Sequence, residues 1–519
     1  MYTVVYSVAL NGLNGFMVGV EGDVQNGLPT FELVGLPASS IREAKERVRS
    51  ALINSGYQWP KGRIVISLSP SDWRKNGTGL DLAIALTILS ATQQITPLPS
   101  HHIALGELAL DGSLRGFRGL YTAAEFALDQ SLQSVVISPS SDEIRPLCSE
   151  QKTLLTFNNL ANVIGWLRDG DISKHTTHHA GTAASIIAQT SLKHHIKHQS
   201  LDLSDLIGQR VAKRALLIAA AGNHPILLCG PPGSGKSMLA ERLKTLLPPL
   251  TQLELSSLRQ IYSVAGIPMQ DHDLRPFRSP HHTVSTQGLL GGGAQPRPGE
   301  VSLAHHGVLF LDELPEFTRQ ALEGLRQPLE AGSITIARSS LSCTFPSQFL
   351  LIAAMNPCPC GYAGSTAHAC RCDTNSIRRY QAKLSGPLLD RFDMSVWMES
   401  EYTVSLSENQ SPSSCDMILT SGIAREQVIH ARKLKAHHEQ LVENRADSFT
   451  LSSLAPATQE LFSRLANQLH LNMRSAKRIL RVAQTIAYLD NRIEIISSDL
   501  AEAVLMRALH RVENTPVEV

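Results

Sequence analysis

The sequence predicts an α/β protein with a helical C-terminal region, and three observations indicate this. Strand-like apolar runs alternate with helical stretches in residues 1–170, separated by glycine and proline. The same alternation resumes at residue 201 and continues to about 400. From 418 onward the apolar residues recur with helical periodicity and almost no strand signal, which is typical of a small helical bundle.

The first segment contains three predicted strands, 16–20, 63–68 and 133–137, and two predicted helices, 41–55 and 81–90. Residues 171–200 are instead polar and rich in serine, threonine and histidine. A metal-binding interpretation of this tract is disfavoured, because no cysteine accompanies the histidines and the nearest carboxylate is Asp171. We therefore predict domains at 1–170, 201–400 and 401–519, with 171–200 as an inter-domain linker.

Composition excludes several classes of protein. The 519 residues contain 47 Lys+Arg and 46 Asp+Glu, a formal charge of +1, which argues against a histone-like coat and against an acidic disordered chain. Any contact with nucleic acid must come from a local patch. No apolar stretch approaches the roughly 20 residues needed to span a bilayer, and no basic segment precedes the N-terminal apolar residues. These features predict a cytoplasmic protein without a membrane partner.

A phosphate-binding loop is the most specific motif. The apolar run 225–229 predicts a buried strand, and residues 238–243 predict a helix. Between them lie Gly230, Pro231, Pro232, Gly233, Ser234, Gly235, Lys236 and Ser237, which match G-x-x-x-x-G-K-[ST] in its expected context. The glycines allow backbone N–H groups to wrap the phosphates of ATP, Lys236 neutralises the β- and γ-phosphates, and Ser237 provides a Mg²⁺ ligand. A chance glycine turn is disfavoured by the strand–loop–helix order.

Two carboxylates follow a second apolar strand at 308–311. Asp312 is predicted to hold Mg²⁺, and Glu313 to orient the attacking water. We expect the two side chains to point to opposite faces, as neighbours on a strand do. For this segment alone a solvated acidic strand end would be the default. A third strand, 349–355, ends at Asn356, which is predicted to contact the γ-phosphate or the water. By itself, the Asn–Pro pair there is merely a turn signal.

Four of the eight cysteines crowd together: Cys358, Cys360, Cys370 and Cys372. Two C-x-C pairs supply four thiolates, a set that suits tetrahedral Zn²⁺. A structural zinc site is the favoured interpretation. An iron–sulfur cluster or redox pair, and unrelated thiols, are the alternatives.

Several motifs together resemble the magnesium-chelatase-like AAA+ ATPases, and within them a group of bacterial competence proteins. They are RSPHH at 278–282, PGEVSLAH at 298–305, the Asp312–Glu313 pair, NPCPCG at 356–361 and LSGPLLDRFD at 384–393. The resemblance covers essentially the whole chain. It implies an AAA+ core with a parallel sheet, a C-terminal helical lid and a Lon-protease-like, ChlI-type N-terminal domain.

The resemblance also implies a homo-oligomeric ring, a hexamer, whose ATP sites are shared between subunits. Arg391 matches the arginine finger that reaches a neighbour's γ-phosphate, and Asn356 matches the sensor residue. In the lid, Arg474 is assigned as the second phosphate-contacting arginine, with Arg478 as the alternative. Without the resemblance, these two arginines and Arg481 would be interpreted as a solvated basic face.

The same resemblance implies a motor that acts on DNA. The glycine-rich segment 288–298 and a predicted hairpin at 332–340 are similar to inserts that project into the ring's pore. Arg297 and Arg338 are candidates for contacting single-stranded or branched DNA there. The implied function is branch migration that integrates single-stranded DNA during natural transformation and homologous recombination.

Two other functions are weighed against this one. A Lon-type protease needs a Ser–Lys dyad, but the matching positions fall near Thr78–Gly79 and at Tyr121, so the dyad is absent. A chelatase-type motor that remodels a protein partner is opposed by the Lon-like domain and the cysteine cluster.

Overall fold

A computed structural model describes residues 2–36, 41, 43–71, 75, 77–130, 135–148, 153–175, 201–269, 274–338, 341–365, 368–399, 419–443, 454–469 and 471–507. The predicted linker contributes one short helix, Ile172–His175, and its residues 176–200 lie outside the described ranges.

The N-terminal part is built on a mixed seven-stranded sheet, in the order β3-β4-β2-β1-β5-β8-β9. The β1–β2 and β2–β4 pairs are antiparallel, and the remaining pairs are parallel. The strands are β1 (Thr3–Asn11), β2 (Asn14–Gln25), β3 (Thr30–Val34), β4 (Arg63–Ser69), β5 (His102–Ala104), β8 (Val135–Pro139) and β9 (Thr153–Phe157), with a separate ribbon of β6 (Glu107–Leu108) and β7 (Leu114–Arg115). All three predicted strands are confirmed, although residues 133 and 134 are outside the described ranges.

One apolar helix fills the centre of this domain. Helix α2 (Asp81–Ala91) is apolar on nearly all sides, and every one of its residues is buried, as expected for a helix enclosed by other elements. It packs on β1 and β2. The other helices are α1 (Ala44–Asn54), α3 (Leu120–Asp129), α4 (Leu160–Asp169) and α5 (Ile172–His175), with a 3₁₀ turn at Arg145–Leu147. The two helices predicted at 41–55 and 81–90 are confirmed.

The central part carries a second sheet, and all its strands are parallel, in the order β11-β14-β17-β10-β18. They are β10 (Ile226–Cys229), β11 (Phe277–Arg278), β14 (Val308–Leu311), β17 (Leu350–Met355) and β18 (Met394–Trp397). Strands β14 and β17 are buried along their whole length, because helices cover both faces. Parallel pairing brings the carboxyl ends of the strands to one edge, which is where the predicted nucleotide residues begin.

Helices and two ribbons surround this sheet. The helices are α6 (Arg210–Gly222), α7 (Lys236–Leu246), α8 (Gln252–Ala265), α9 (Thr286–Leu290), α10 (Glu300–Leu303), α11 (Arg319–Gly324), α12 (Arg326–Ala331), α13 (Thr374–Gln381) and α14 (Gly386–Leu389), with 3₁₀ turns at Leu203–Asp205 and Leu314–Glu316. The ribbons pair β12 (Gly291–Gly292) with β13 (Arg297–Pro298), and β15 (Ser333–Arg338) with β16 (Leu341–Pro346). The second ribbon is the hairpin predicted at 332–340, and its returning strand extends further, to Pro346.

The C-terminal part is helical throughout its described ranges. It contains α15 (Ser421–Glu443), α16 (Pro456–Gln468), α17 (Met473–Leu489) and α18 (Ser497–Leu505). Residues of α15, α17 and α18 share one hydrophobic core with α6, α7 and the parallel sheet. The lid is therefore packed directly on the core. No helix in the described ranges is both long and apolar enough to cross a membrane.

The N-terminal domain docks on the core through helices α3 and α8. The Glu125 carboxylate accepts hydrogen bonds from Ser256 Oγ at 2.5 Å and from Gln260 Nε2 at 2.6 Å. Nearby, the Gly119 backbone N–H donates to the Ser263 carbonyl at 3.0 Å. These polar contacts join the two domains close to the β12–β13 ribbon, which also contacts α8.

The protein should become less stable as the pH drops below about 6.5, because one buried histidine must stay neutral in the folded state. His305 is 4% exposed, and its Nδ1 accepts the Gln348 backbone N–H at 3.0 Å, so the folded state requires the neutral ring. Burial, with a smaller contribution from the charge of His306, lowers the His305 pKa from 6.5 to about 3. The unfolded chain therefore takes up a proton that the folded chain refuses, and this residue should lower the free energy of unfolding by about 2 kcal/mol between pH 6.5 and 5.

This prediction is measured by urea unfolding at pH 7 and pH 5. Replacing His305 by Asn, which keeps an acceptor and cannot be protonated, should flatten the pH dependence. The exposed His437→Asn change is the matched control and should leave the dependence as it is. An unchanged slope in His305→Asn would contradict the assignment.

Candidate active site

The phosphate loop leaves β10 and enters α7 with the conformations that its glycines permit. Gly233 and Gly235 have φ of +78° and +87°, in the left-handed region that side chains disfavour. A Cβ on Gly230 would lie 2.2 Å from the Met398 carbonyl oxygen, so the backbones approach too closely for any other residue. Helix α7 starts at Lys236, and its N-terminal N–H groups add partial positive charge at the loop.

Lys236 is 9% exposed and folds back over the loop. Its Nζ donates to the carbonyls of Gly230 and Pro231 at 2.8 Å each, and to Asn356 Oδ1 at 3.2 Å. Burial lowers the pKa of this ammonium. The structure thus brings together the phosphate-loop lysine and the predicted sensor residue, which belong to adjacent strand ends. A phosphate placed in the loop would replace neutral acceptors with charged ones.

Ser237 and Asp312 also meet at this edge. The Ser237 hydroxyl donates to Asp312 Oδ2 at 2.7 Å, and the Glu313 backbone N–H donates to Asp312 Oδ1 at 2.9 Å. A hydroxyl and a carboxylate side by side form the kind of oxygen pair that Mg²⁺ prefers. The two predicted metal ligands are therefore adjacent.

Strand alternation was expected to point Asp312 and Glu313 to opposite faces, and that reason is wrong. Strand β14 ends at Leu311, so strand alternation does not apply to either residue. Glu313 instead adopts a left-handed conformation, with φ of +52°. The 3₁₀ segment Leu314–Glu316 follows, and the two carboxylates have different partners, Ser237 for Asp312 and His282 for Glu313. A non-glycine residue held in this region is a form of strain that occurs at functional sites.

Sequence reasoning gave no role to the partner of Glu313. His282 Nδ1 lies 3.2 Å from Glu313 Oε2, with the carboxylate 53% exposed. The signal was present in the RSPHH motif, whose Arg278 makes a bidentate pair with Glu300 of the next motif, at 2.6 and 2.8 Å. The two motifs are thus linked to each other and to the candidate water-orienting carboxylate.

The four clustered cysteines converge on one point. Their Sγ atoms all lie within 4.8 Å of one another. Cys358, Cys360 and Cys370 have Sγ–Sγ distances of 3.4, 3.6 and 3.7 Å. Four thiolates about 2.3 Å from a tetrahedral zinc are about 3.8 Å apart. The cluster fits a Cys₄ metal ion in both donor type and spacing.

The cysteine loop packs directly on the phosphate loop. A Cβ on Gly361, which has φ of +88°, would lie 2.6 Å from the Pro232 ring. Cys358 is fully buried beside Cys229, the last residue of β10. Burial raises the pKa of the Cys229 thiol to about 12, so Cys229 stays protonated. The cysteine cluster therefore supports the phosphate loop by packing against it.

Arg391 lies at the other edge of the sheet. Strands β10 and β18 pair with Ile226 opposite Met394 and Cys229 opposite Trp397, and Arg391 precedes Met394. The phosphate loop starts where these strands end, about 10 Å further along them. Arg391 is 6% exposed, and its guanidinium donates to the Pro387 carbonyl and to Glu330. It therefore lies away from Lys236 of its own chain, at the opposite end of the strands.

Arg474 is placed with Arg391 instead of with the phosphate loop. Its Nη2 donates to Glu330 Oε1 at 2.6 Å, the same oxygen that Arg391 contacts. The alternative residue, Arg478, is 9% exposed and lies 3.5 Å from Asp393. The structure thus brings the two predicted arginines together on Glu330, a residue that sequence reasoning missed. No sequence motif marked Glu330.

Packing between the two loops can be tested at Gly361. Changing Gly361 to Ala should lower the free energy of unfolding by about 1 kcal/mol for the left-handed conformation, and by a further 1–3 kcal/mol for overlap with Pro232. Gly364→Ala is the matched control, because Gly364 has φ of +75° and its Cβ would lie 3.4 Å from the Trp397 ring, an ordinary contact. Urea unfolding followed by circular dichroism measures both. Equal losses would contradict close packing.

Models of known protein families match three segments of the chain. Family models for "Subunit ChlI of Mg-chelatase", "Magnesium chelatase, subunit ChlI" and "Magnesium chelatase, subunit ChlI C-terminal" match residues 20–141, 202–406 and 419–507. The magnesium-chelatase 67 kDa subunit of Heliobacterium mobile is 27% identical over 203 residues, covering 33% of the chain and 30% of that subunit.

Longer similarity connects the chain to two bacterial proteins. It is 39% identical to the competence protein ComM of Haemophilus influenzae, over 98% of both chains. It is 38% identical to the protein YifB of Escherichia coli, over 98% of this chain and 97% of that one. With the parallel phosphate-loop sheet and the packed helical lid, these matches show that the chain belongs to the ComM/YifB group of magnesium-chelatase-like AAA+ proteins.

Proposed function

We propose that the protein is an ATP-driven hexameric ring motor that hydrolyses ATP at the seam between subunits. Membership of this AAA+ family implies ATPase activity. Lys236 would neutralise the β- and γ-phosphates, with Asn356 beside the γ-phosphate. Ser237 and Asp312 would hold Mg²⁺, and Glu313 would orient the attacking water. The remaining residues of the phosphate loop would bind ATP through their backbone N–H groups.

One observation supports the shared site above the others. Arg391 and Arg474 lie together at the edge opposite the phosphate loop, so neither is placed to contact its own chain's nucleotide. In a ring, one subunit's edge faces the next subunit's phosphate loop. A trans-acting guanidinium would then balance the charge that develops on the γ-phosphate.

DNA is the substrate that we propose for the motor. The Haemophilus relative, which matches over nearly its whole length, is named as a competence protein. Here Arg297 of the β12–β13 ribbon and Arg118 of the N-terminal domain line one cavity of about 420 Å³. Within the described part of the chain, neither guanidinium has a carboxylate at ion-pair distance, so both are available to a phosphate backbone. The activity that we propose is branch migration that integrates single-stranded DNA during natural transformation, in the cytoplasm.

Two alternatives are less well supported. A chelatase-type motor acting on a protein partner draws on the Heliobacterium subunit, whose similarity covers only a third of the chain. A protease is opposed at the dyad positions, since the Thr78 hydroxyl donates to Glu107 and Tyr121 stands where a lysine is required.

We further propose that the cysteine cluster holds a structural Zn²⁺. The four thiolates would close its coordination sphere, which is typical of sites that contribute folding energy rather than catalysis.

The motor is tested by ATP hydrolysis and strand displacement on forked and three-stranded DNA. Lys236→Ala should abolish both activities, and Arg391→Ala should lower kcat on the order of 1000-fold, because the transition-state charge is left unbalanced. Arg63→Ala, which breaks an exposed ion pair with Glu32, is the control and should change neither. Hydrolysis without DNA stimulation or unwinding would remove DNA as the substrate and leave the ATPase in place.

The zinc proposal is tested by elemental analysis of the purified full chain. One zinc per chain is expected, with loss of metal and a lower melting temperature in Cys360→Ser, since the remaining thiolates leave the site open. Cys148→Ser is the control, because that thiol lies outside the cluster. Iron with visible absorption would indicate a cluster instead, and a metal-free chain would contradict a resident ion.

A further inference from the structure

Glu330 joins the two arginines that the proposed mechanism assigns to the neighbouring subunit's ATP. Arg391 Nη2 and Arg474 Nη2 both donate to a single carboxylate oxygen, Glu330 Oε1. Arg391 comes from the segment after α14, Arg474 from the first turn of α17, and Glu330 from the end of α12. Three separate elements therefore meet at one carboxylate.

The environments of the two guanidiniums differ. The Arg391 side chain is 4% exposed, whereas the side chains of Arg474 and Glu330 are 53% and 50% exposed. Glu330 is the one carboxylate within ion-pair distance of Arg391 among the described residues. Two guanidiniums held this close repel each other, and the carboxylate between them offsets that repulsion. The hydrogen bond from Arg474, followed by the charge of Arg391, lowers the Glu330 pKa, so the carboxylate is ionised at neutral pH.

Two further ion pairs extend this junction. Arg478 lies 3.5 Å from Asp393, and Arg507 lies 4.0 Å from Asp390. Together with Arg474 and Glu330 these make three pairs. In each of them the arginine belongs to the C-terminal helical region and the carboxylate to the core. Only Glu330 also contacts Arg391, so among the three carboxylates it alone connects the lid to the finger side chain.

We propose that Glu330 is a positioning residue that holds Arg391 and Arg474 as one two-armed clamp for the triphosphate of the adjacent subunit. The proposal rests on the function proposed above. Without the carboxylate, the half-exposed Arg474 would move away from its like-charged neighbour, and Arg391 would lose its charged anchor. Both guanidiniums would then reach the γ-phosphate misplaced, and misplacement of a charged group by about 1 Å costs roughly 100-fold in rate.

The first experiment measures ATP turnover and resting nucleotide binding in the full-length chain. Glu330→Ala should lower kcat roughly 10- to 100-fold, while the affinity of the resting chain for ATP stays unchanged, because Lys236 lies at the other edge of the sheet. Glu330→Gln keeps an acceptor oxygen and should lose less. Glu32→Ala is the matched control, since Glu32 is 46% exposed and paired with one arginine far from the site. A loss of nucleotide affinity equal to the loss of kcat would indicate a purely structural role and overturn the proposal.

The second experiment asks whether the lost function acts on the neighbour. Glu330→Ala subunits keep an intact phosphate loop, and Glu313→Gln subunits keep an intact clamp. Mixed rings should therefore recover turnover that neither variant has alone. Glu330→Ala should cost less on an Arg391→Ala background than in the unmodified chain, because only Arg474 is then left to be misplaced. Absence of recovery, or full additivity, would overturn the role of Glu330.

The outcomes separate this inference from the function beneath it. If Arg391→Ala loses turnover and Glu330→Ala keeps it, the clamp proposal fails and the shared site stands. If Arg391→Ala itself keeps full turnover, the shared site fails. Melting temperatures of both Glu330 variants establish that the compared chains are folded.

Discussion

Parallel pairing of β10 with its two neighbours is the constraint on which the candidate site depends. Because β10 runs parallel to β17 and β18, the phosphate loop and Asn356 emerge at one edge, and Asp312 joins them through β14. The same pairing sends the segment before β18, with Arg391, to the opposite edge. One set of backbone hydrogen bonds thus places the phosphate loop, Asn356 and Asp312 at one end of the sheet and Arg391 at the other.

Close packing behind the phosphate loop adds a second constraint. The loop has little room to shift toward the cysteine cluster, because a Cβ on Gly361 would already overlap the Pro232 ring. It has little room toward β18 either, because a Cβ on Gly230 would overlap the Met398 carbonyl. Densely packed groups transmit displacement instead of absorbing it. The cysteine cluster, which lies between Asn356 and Arg391 in the chain, therefore limits how far the phosphate loop can move.

Charge organises the other edge. Glu330, Asp390 and Asp393 face arginines of the C-terminal region, so the lid is attached to the finger segment by ion pairs as well as by the shared apolar core. These ion pairs connect the helical C-terminal region to the segment that carries Arg391.

The sequence by itself determined the α/β class, the buried strands, the phosphate loop and the cluster of four thiols, because each depends on residues close together in the chain. Periodicity and spacing record such local order directly. The pairing of Glu330 with Arg391 and Arg474, the contact of His282 with Glu313, and the left-handed turn at Glu313 were decided only by the tertiary structure. The contacts join residues up to 144 positions apart. The turn depends on backbone angles that the neighbouring residue types do not specify. Both depend on how distant segments pack in the folded chain, which periodicity and spacing do not record.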